Sequence, residues 1–186
     1  MLRFGVLVAV LFLSCASLVG QDVPKQKGMV CWQLHFAGIS VGLTDDEQLQ
    51  RLMGGAGVFR SDEGHTGSRY YVDAKSEFTL HVELGVDRIV EAMTVSKGVN
   101  KTLAANERKA AISKYFYPTE GFGNWHALHL GSDQKEVLEN IGEPKEKQKN
   151  GRIWSYESVC SCEIPNVLSV EFSNGRIIEL VLSAEE

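Results

Sequence analysis

Proline is scarce in this chain, with four in 186 residues, and cysteine is equally rare. Few prolines mean few rigid linkers, whereas 18 glycines supply many tight turns. No block of like charge occurs: 19 basic and 24 acidic residues are interspersed to a net charge of -5. Without a basic stripe there is no electrostatic footprint for DNA or RNA, so a nucleic-acid partner is disfavoured. Beyond the N-terminus no apolar run approaches the roughly 20 residues that a membrane-spanning helix needs. The five histidines, His35, His65, His81, His126 and His129, sit in no nucleophile or metalloprotease motif. Gly54, Gly55 and Gly57 lack the lysine of a phosphate-binding loop and read as a turn. What is present, 44% hydrophobic and 23% charged residues, suits a folded globular chain rather than a disordered one.

Residues 1–20 read as an export signal. Arg3 supplies the positive charge, Gly5 to Leu13 the apolar core, and Ser14, Cys15 and Ala16 the small residues of a cleavage region. Cleavage after Ala16 or after Gly20 gives a soluble periplasmic or secreted product. The run Leu11 to Cys15 is similar to a lipoprotein cleavage motif, making Cys15 a lipidation candidate and an outer-membrane anchor the alternative.

Cleavage leaves Cys31, Cys160 and Cys162, all disulfide candidates in an oxidising compartment, and one must be left over. A bridge from Cys31 to either of the others closes a long loop and is worth about 4 kcal/mol on the chain-entropy estimate. Joining Cys160 to Cys162 instead closes a strained ring.

Self-similarity organises the remainder. Leu80 to Thr94 aligns without gaps to Leu168 to Leu182 at an offset of 88 residues, with Leu80, Val82, Glu83, Arg88, Ile89 and Glu91 each matched. Upstream, residues 42–52 align to 131–141 at an offset of 89. Thr44 with Glu47, and Asp133 with Glu136, have the spacing of helix capping boxes. The helices they start present Leu49, Leu52 and Met53, and Val137, Leu138 and Ile141, to a core. Gly54-Gly55, and Gly142 with Pro144, stop them.

Downstream the period changes to two. Leu80, Val82 and Leu84 alternate with His81 and Glu83, and Leu168, Val170 and Phe172 with Ser169 and Glu171, predicting half-buried strands. Ser173-Asn174-Gly175 predicts a hairpin turn to Arg176–Leu182, with Val86-Asp87 as its counterpart. Further strands are expected at Tyr70–Asp73, Ile153–Glu157, Cys31–Phe36 and around Trp125–Leu130, and a connecting helix over Thr102–Phe116. The expected fold is α+β: two tandem units, 29–98 and 125–186, each a capped helix on an antiparallel sheet of three to four strands, joined by a connecting helix and loop over 99–124.

The second unit, with Gly131, Gly142-Glu143-Pro144, Trp154-Ser155-Tyr156 and Phe172 through Ile177, resembles the SmpA/OmlA or BamE-like domain of outer-membrane barrel assembly. Two such units in tandem resemble the architecture of secreted beta-lactamase inhibitor proteins. These resemblances imply no cofactor and no catalytic residue, and a protein partner in the cell envelope or extracellular space. The expected function is an exported, non-catalytic protein-binding module, with Tyr70, Tyr71, His81, Glu83, Ser169 and Glu171 as partner-binding candidates. An inhibitor of a secreted hydrolase is the first alternative. The second is a small metal-dependent enzyme using His126, His129, Cys160 and Cys162, donors of the kind that hold zinc. Residues three apart on a strand face opposite sides, which weighs against His126 and His129 sharing an ion.

Overall fold

The computed structural model describes residues 35–61, 66–73, 78–98, 103–113, 128–158 and 166–184. A short pair, β1 (His35–Phe36) and β2 (Ile39–Ser40), turns through Ala37 and Gly38, both at positive φ, and buries Phe36 and Ile39. Helix α1 (Asp46–Met53) follows. Then come strands β3 (Val58–Ser61), β4 (Gly67–Asp73), β5 (Phe78–Leu84) and β6 (Val90–Lys97). Helix α2 (Ala105–Ala110) and strand β7 (Ile112–Ser113) lead to α3 (Gln134–Asn140), β8 (Glu146–Gln148), β9 (Ile153–Ser158), β10 (Asn166–Ser173) and β11 (Arg176–Ala184).

Eight strands run in the order β3-β4-β5-β6-β11-β10-β9-β8, with every neighbouring pair antiparallel. Strand β7 adds in parallel to the outer edge of β4, where the Val72 N–H donates to Ala111 O at 2.8 Å. This corrects the α+β expectation of two helix-capped units. Strands β6 and β11, the last strand of each half, pair with one another, so one antiparallel sheet runs through the molecule. The helices are minor, eight, six and seven residues long. The connecting helix shrinks to Ala105–Ala110, because from Ala111 onward the backbone pairs with the edge that β4 leaves open beyond β3.

The register carries an approximate twofold symmetry. In the first hairpin Leu80 faces Val95 and Val82 faces Met93; in the second Leu168 faces Leu182 and Val170 faces Leu180. Where the hairpins meet, Val95 faces Leu180, Met93 faces Leu182, and Thr94 faces its own counterpart Val181. A dyad therefore passes between Thr94 and Val181. Both hairpins carry a bulge at the same place, Glu83/Leu84 and Glu171/Phe172.

The turns differ. Asn174 and Gly175, both at positive φ, make a two-residue turn of the mirror-image kind that suits strand twist. The loop of Val86, Asp87 and Arg88 is one residue longer and closes through Gly85 N–H to Ile89 O at 2.9 Å. Beyond the turns the halves are thus related by 87 residues, not 88. Val90 and Ile177 take equivalent positions: Gly42 N–H donates to Val90 O at 2.8 Å and Gly131 N–H to Ile177 O at 2.9 Å. The matched letters Arg88/Arg176, Ile89/Ile177 and Glu91/Glu179 are consequently out of structural register.

Residues on one face of the sheet form the core with α1 and α3. Leu49 and Met53 of α1 and Val137 of α3 share a buried cluster with Leu80, Val82, Met93, Val95, Leu168, Val170, Leu180 and Leu182. Leu52, expected in the core, is exposed.

A candidate binding face opposite helices α1 and α3

Period-two alternation sends the intervening residues to the other face, and the register lines them up. Tyr70 faces His81, His81 faces Thr94, Thr94 faces Val181, Val181 faces Ser169, Ser169 faces Ser155 and Ser155 faces Glu146, a row crossing the sheet from β4 to β8. At the β4 end the face is covered: Tyr70 and Val72 pack with Leu103 and Ala111 in a second buried cluster. From His81 to Ser155 the row is half-buried, and beyond His81 its side chains are short.

Charge on this face is mostly acidic. Glu171 and Glu179 stand directly opposite each other on β10 and β11, and Arg152 donates to Glu171 at 3.0 Å. Burial, together with the Glu171 charge, raises the Glu179 pKa above the usual carboxylate range, while Lys149 opposes the shift. Glu83 lies 3.8 Å from His81 Nδ1, and Glu157 pairs with Lys145. The His81 ring stacks on Tyr70 at 4.5 Å and 13°, and Arg60 lies over Tyr70 at 5.3 Å.

Four of the expected partner-binding residues, His81, Glu83, Ser169 and Glu171, share this open face. Tyr70 points the same way but is covered by the segment around α2. Tyr71 does not belong with them: it is on the face covered by α1 and α3, 1% exposed, with a hydroxyl that has no hydrogen-bond partner among the described residues. Burial raises its pKa strongly. His129 is described, its Nδ1 3.0 Å from Leu130 O. Residues His126, Cys160, Cys162, Cys31 and Cys15, and the export signal, lie outside the described residues. Among the described residues no group of three or more His, Cys, Asp or Glu is placed to share a metal ion. Nor is any described helix long and apolar enough to cross a membrane.

Sequence reasoning missed the most polar feature of the core. Arg69 occupies the position that Trp154 holds in the second half, facing Val82 as Trp154 faces Val170. Its guanidinium makes a two-pronged ion pair with Asp46 of α1 and donates to Ala56 O. The hydrogen bond from Arg69 holds the Asp46 pKa below its ordinary value. Phe59, on β3 opposite Arg69, lies 5.0 Å beneath that guanidinium and 4.6 Å from that of Arg88. The only sequence signal was a single arginine directly before the apolar and aromatic run Tyr70-Tyr71-Val72.

No family model matches the chain, and no curated protein matches it. A solved structure that it is similar to is a DUF4309 family protein (YjgB) from Bacillus subtilis, at 8% identity and a TM-score of 0.46, covering 80% of this chain and 83% of that one. Neither the SmpA/OmlA domain nor a beta-lactamase inhibitor is found in these comparisons. With one continuous sheet in place of two helix-capped units, those resemblances are withdrawn. The letters that suggested them, Gly-x-Pro, Trp-x-Tyr and Asn-Gly before Arg-Ile, encode a helix stop, a strand and a turn, which many folds share.

Proposed function

We propose that this chain is an exported, non-catalytic protein-binding module whose contact surface is the open sheet face from His81 to Ser155. One observation carries the reading: a row of directly facing, half-buried residues crosses five strands, and beyond His81 its side chains, Thr94, Val181, Ser169 and Ser155, are all short. Short residues on a broad sheet make a low-relief surface that a protein partner fills better than a small molecule does. Glu83, Glu171 and Glu179 give that surface an acidic character and favour a partner with a basic patch.

Photocrosslinking tests it. A photoreactive residue at Thr94 or Ser169, in protein expressed in its own cell envelope, should trap a discrete protein. The same residue at Lys135, exposed on α3, should not. Equal trapping from Lys135, or none from either face position, would contradict the proposal.

A further inference from the structure

The dyad builds two equivalent clefts, and their side chains have opposite charge. The larger, about 560 Å³, lies at the β5–β6 turn and takes Glu83, Asp87 and Glu91 from its lining. The smaller, about 390 Å³, lies at the β10–β11 turn, where Phe78, Leu130, Ile177 and Ile178 form apolar walls and Lys97 and Arg176 supply the charge. Gly42 and Val90 line the first cleft where Gly131 and Ile177 line the second. Ile89 and Ala184 stand in the first cleft at the positions of Arg176 and Lys97 in the second. The same backbone therefore forms a cleft without those cations, so the fold does not require them.

Both cations are available to a ligand. Arg176 donates to Gly131 O at 2.8 Å, which orients its guanidinium without neutralising it. Neither Lys97 nor Arg176 belongs to an ion pair among the described residues. Two uncompensated cations beside four apolar side chains match one ligand chemistry, an anionic head on an apolar body, and a guanidinium binds a carboxylate through two parallel hydrogen bonds. The volume falls within the roughly 300–1,000 Å³ usual for small-ligand sites.

We propose that this cleft binds a carboxylate joined to a short aliphatic group, taken either from a free alkyl carboxylic acid or from the C-terminus of a peptide ending in an apolar residue. The acidic cleft across the dyad rejects the same ligand and serves as an internal control. This site is separate from the open face, because no residue of the His81–Ser155 row lines it.

Calorimetric titration of the full chain with octanoate, N-acetyl-leucine, N-acetyl-leucinamide and octylammonium decides the matter. At least one of the two carboxylates should bind, and whichever does identifies the source. The amide and the ammonium should bind at least about tenfold more weakly. Lys97→Glu and Lys97→Gln, at an exposed position, should each weaken carboxylate binding by about tenfold or more while leaving the melting temperature unchanged. The proposal is overturned if neither carboxylate binds, if the amide matches the acid, or if both Lys97 variants bind as the parent does. Crosslinking from Thr94 is unaffected by any of these outcomes, so the two readings fail separately.

Discussion

At the scale of single residues, the dyad supplies matched pairs whose environments differ. Tyr71 and Tyr156 occupy equivalent positions, facing Leu80 and Leu168. The Tyr156 hydroxyl donates to Gly142 O at 3.2 Å, whereas that of Tyr71 is buried without a partner among the described residues. An unsatisfied buried hydroxyl costs roughly 1–3 kcal/mol, so Tyr71→Phe should be neutral or stabilising. Tyr156→Phe should lose about 1 kcal/mol. Denaturant melts of the two variants check this pair, and an equal loss in both would contradict the assignment.

The cation and the aromatic ring also exchange places across the dyad. In the second half Lys147 of β8 lies 4.7 Å over Trp154 of β9; in the first, Arg69 of β4 lies over Phe59 of β3. Only the first half buries its cation, and there Asp46 compensates it. Asp46→Asn leaves a buried guanidinium without its counter-charge and should cost about 3–5 kcal/mol. Because the folded pKa of Asp46 is depressed, its contribution is present above the unfolded value near 3.8 and lost as pH falls through the folded value. The variant's stability should accordingly vary less with pH below 4 than the parent's. Glu179 has the opposite sign. Its raised folded pKa makes a contribution that is present in acid and lost as pH rises through the folded value. Glu179→Gln should therefore stabilise at pH 7 and change little near pH 4, as pH-resolved urea melts would report.

At the scale of elements, local signals were legible and register was not. Asp133 caps α3 as its spacing with Glu136 predicts, with Asp133 accepting from the Glu136 N–H at 2.9 Å. In α1 the true cap is Asp45, which accepts from the Gln48 N–H at 2.7 Å, one residue after the Thr44 expected. Thr44 is instead buried and accepts from the Ser40 N–H at 2.8 Å. Both capping boxes are consistent with the letters, and only the backbone distinguishes them. Asp45→Ala and Asp133→Ala should each cost about 1 kcal/mol by thermal melting. The strands at Leu80–Leu84 and Leu168–Phe172 were readable because one face is buried and alternation follows. The extra residue in the Val86–Arg88 loop was not, since six matched letters made an ungapped alignment attractive. Three of those matches are chance once the hairpins are superposed through their hydrogen bonds.

For the whole molecule, the decisive interaction has no local signature. Pairing β6 with β11 joins residues some 87 positions apart by edge-to-edge hydrogen bonding, and nothing in either strand's composition names its neighbour. Two units read from a repeat therefore became one sheet. Physical consequences follow: with the buried cluster shared across the dyad, unfolding should be a single cooperative transition. Thr94→Pro, which removes a donor and places a ring in a central strand, should lower the stability of both halves together. Hydrogen exchange that protected Leu168–Phe172 normally in this variant would show the halves to be independent.

The same pairing creates the face proposed to bind, since Thr94 and Val181 meet at its centre. The most direct test is to place arginine at both positions and measure complex formation with the protein trapped by crosslinking at Thr94. Thr94→Arg with Val181→Arg should reduce affinity by about a hundredfold or more, and Lys135→Glu on the side of α3 should leave it unchanged. Retained affinity in the folded double variant would contradict the proposal.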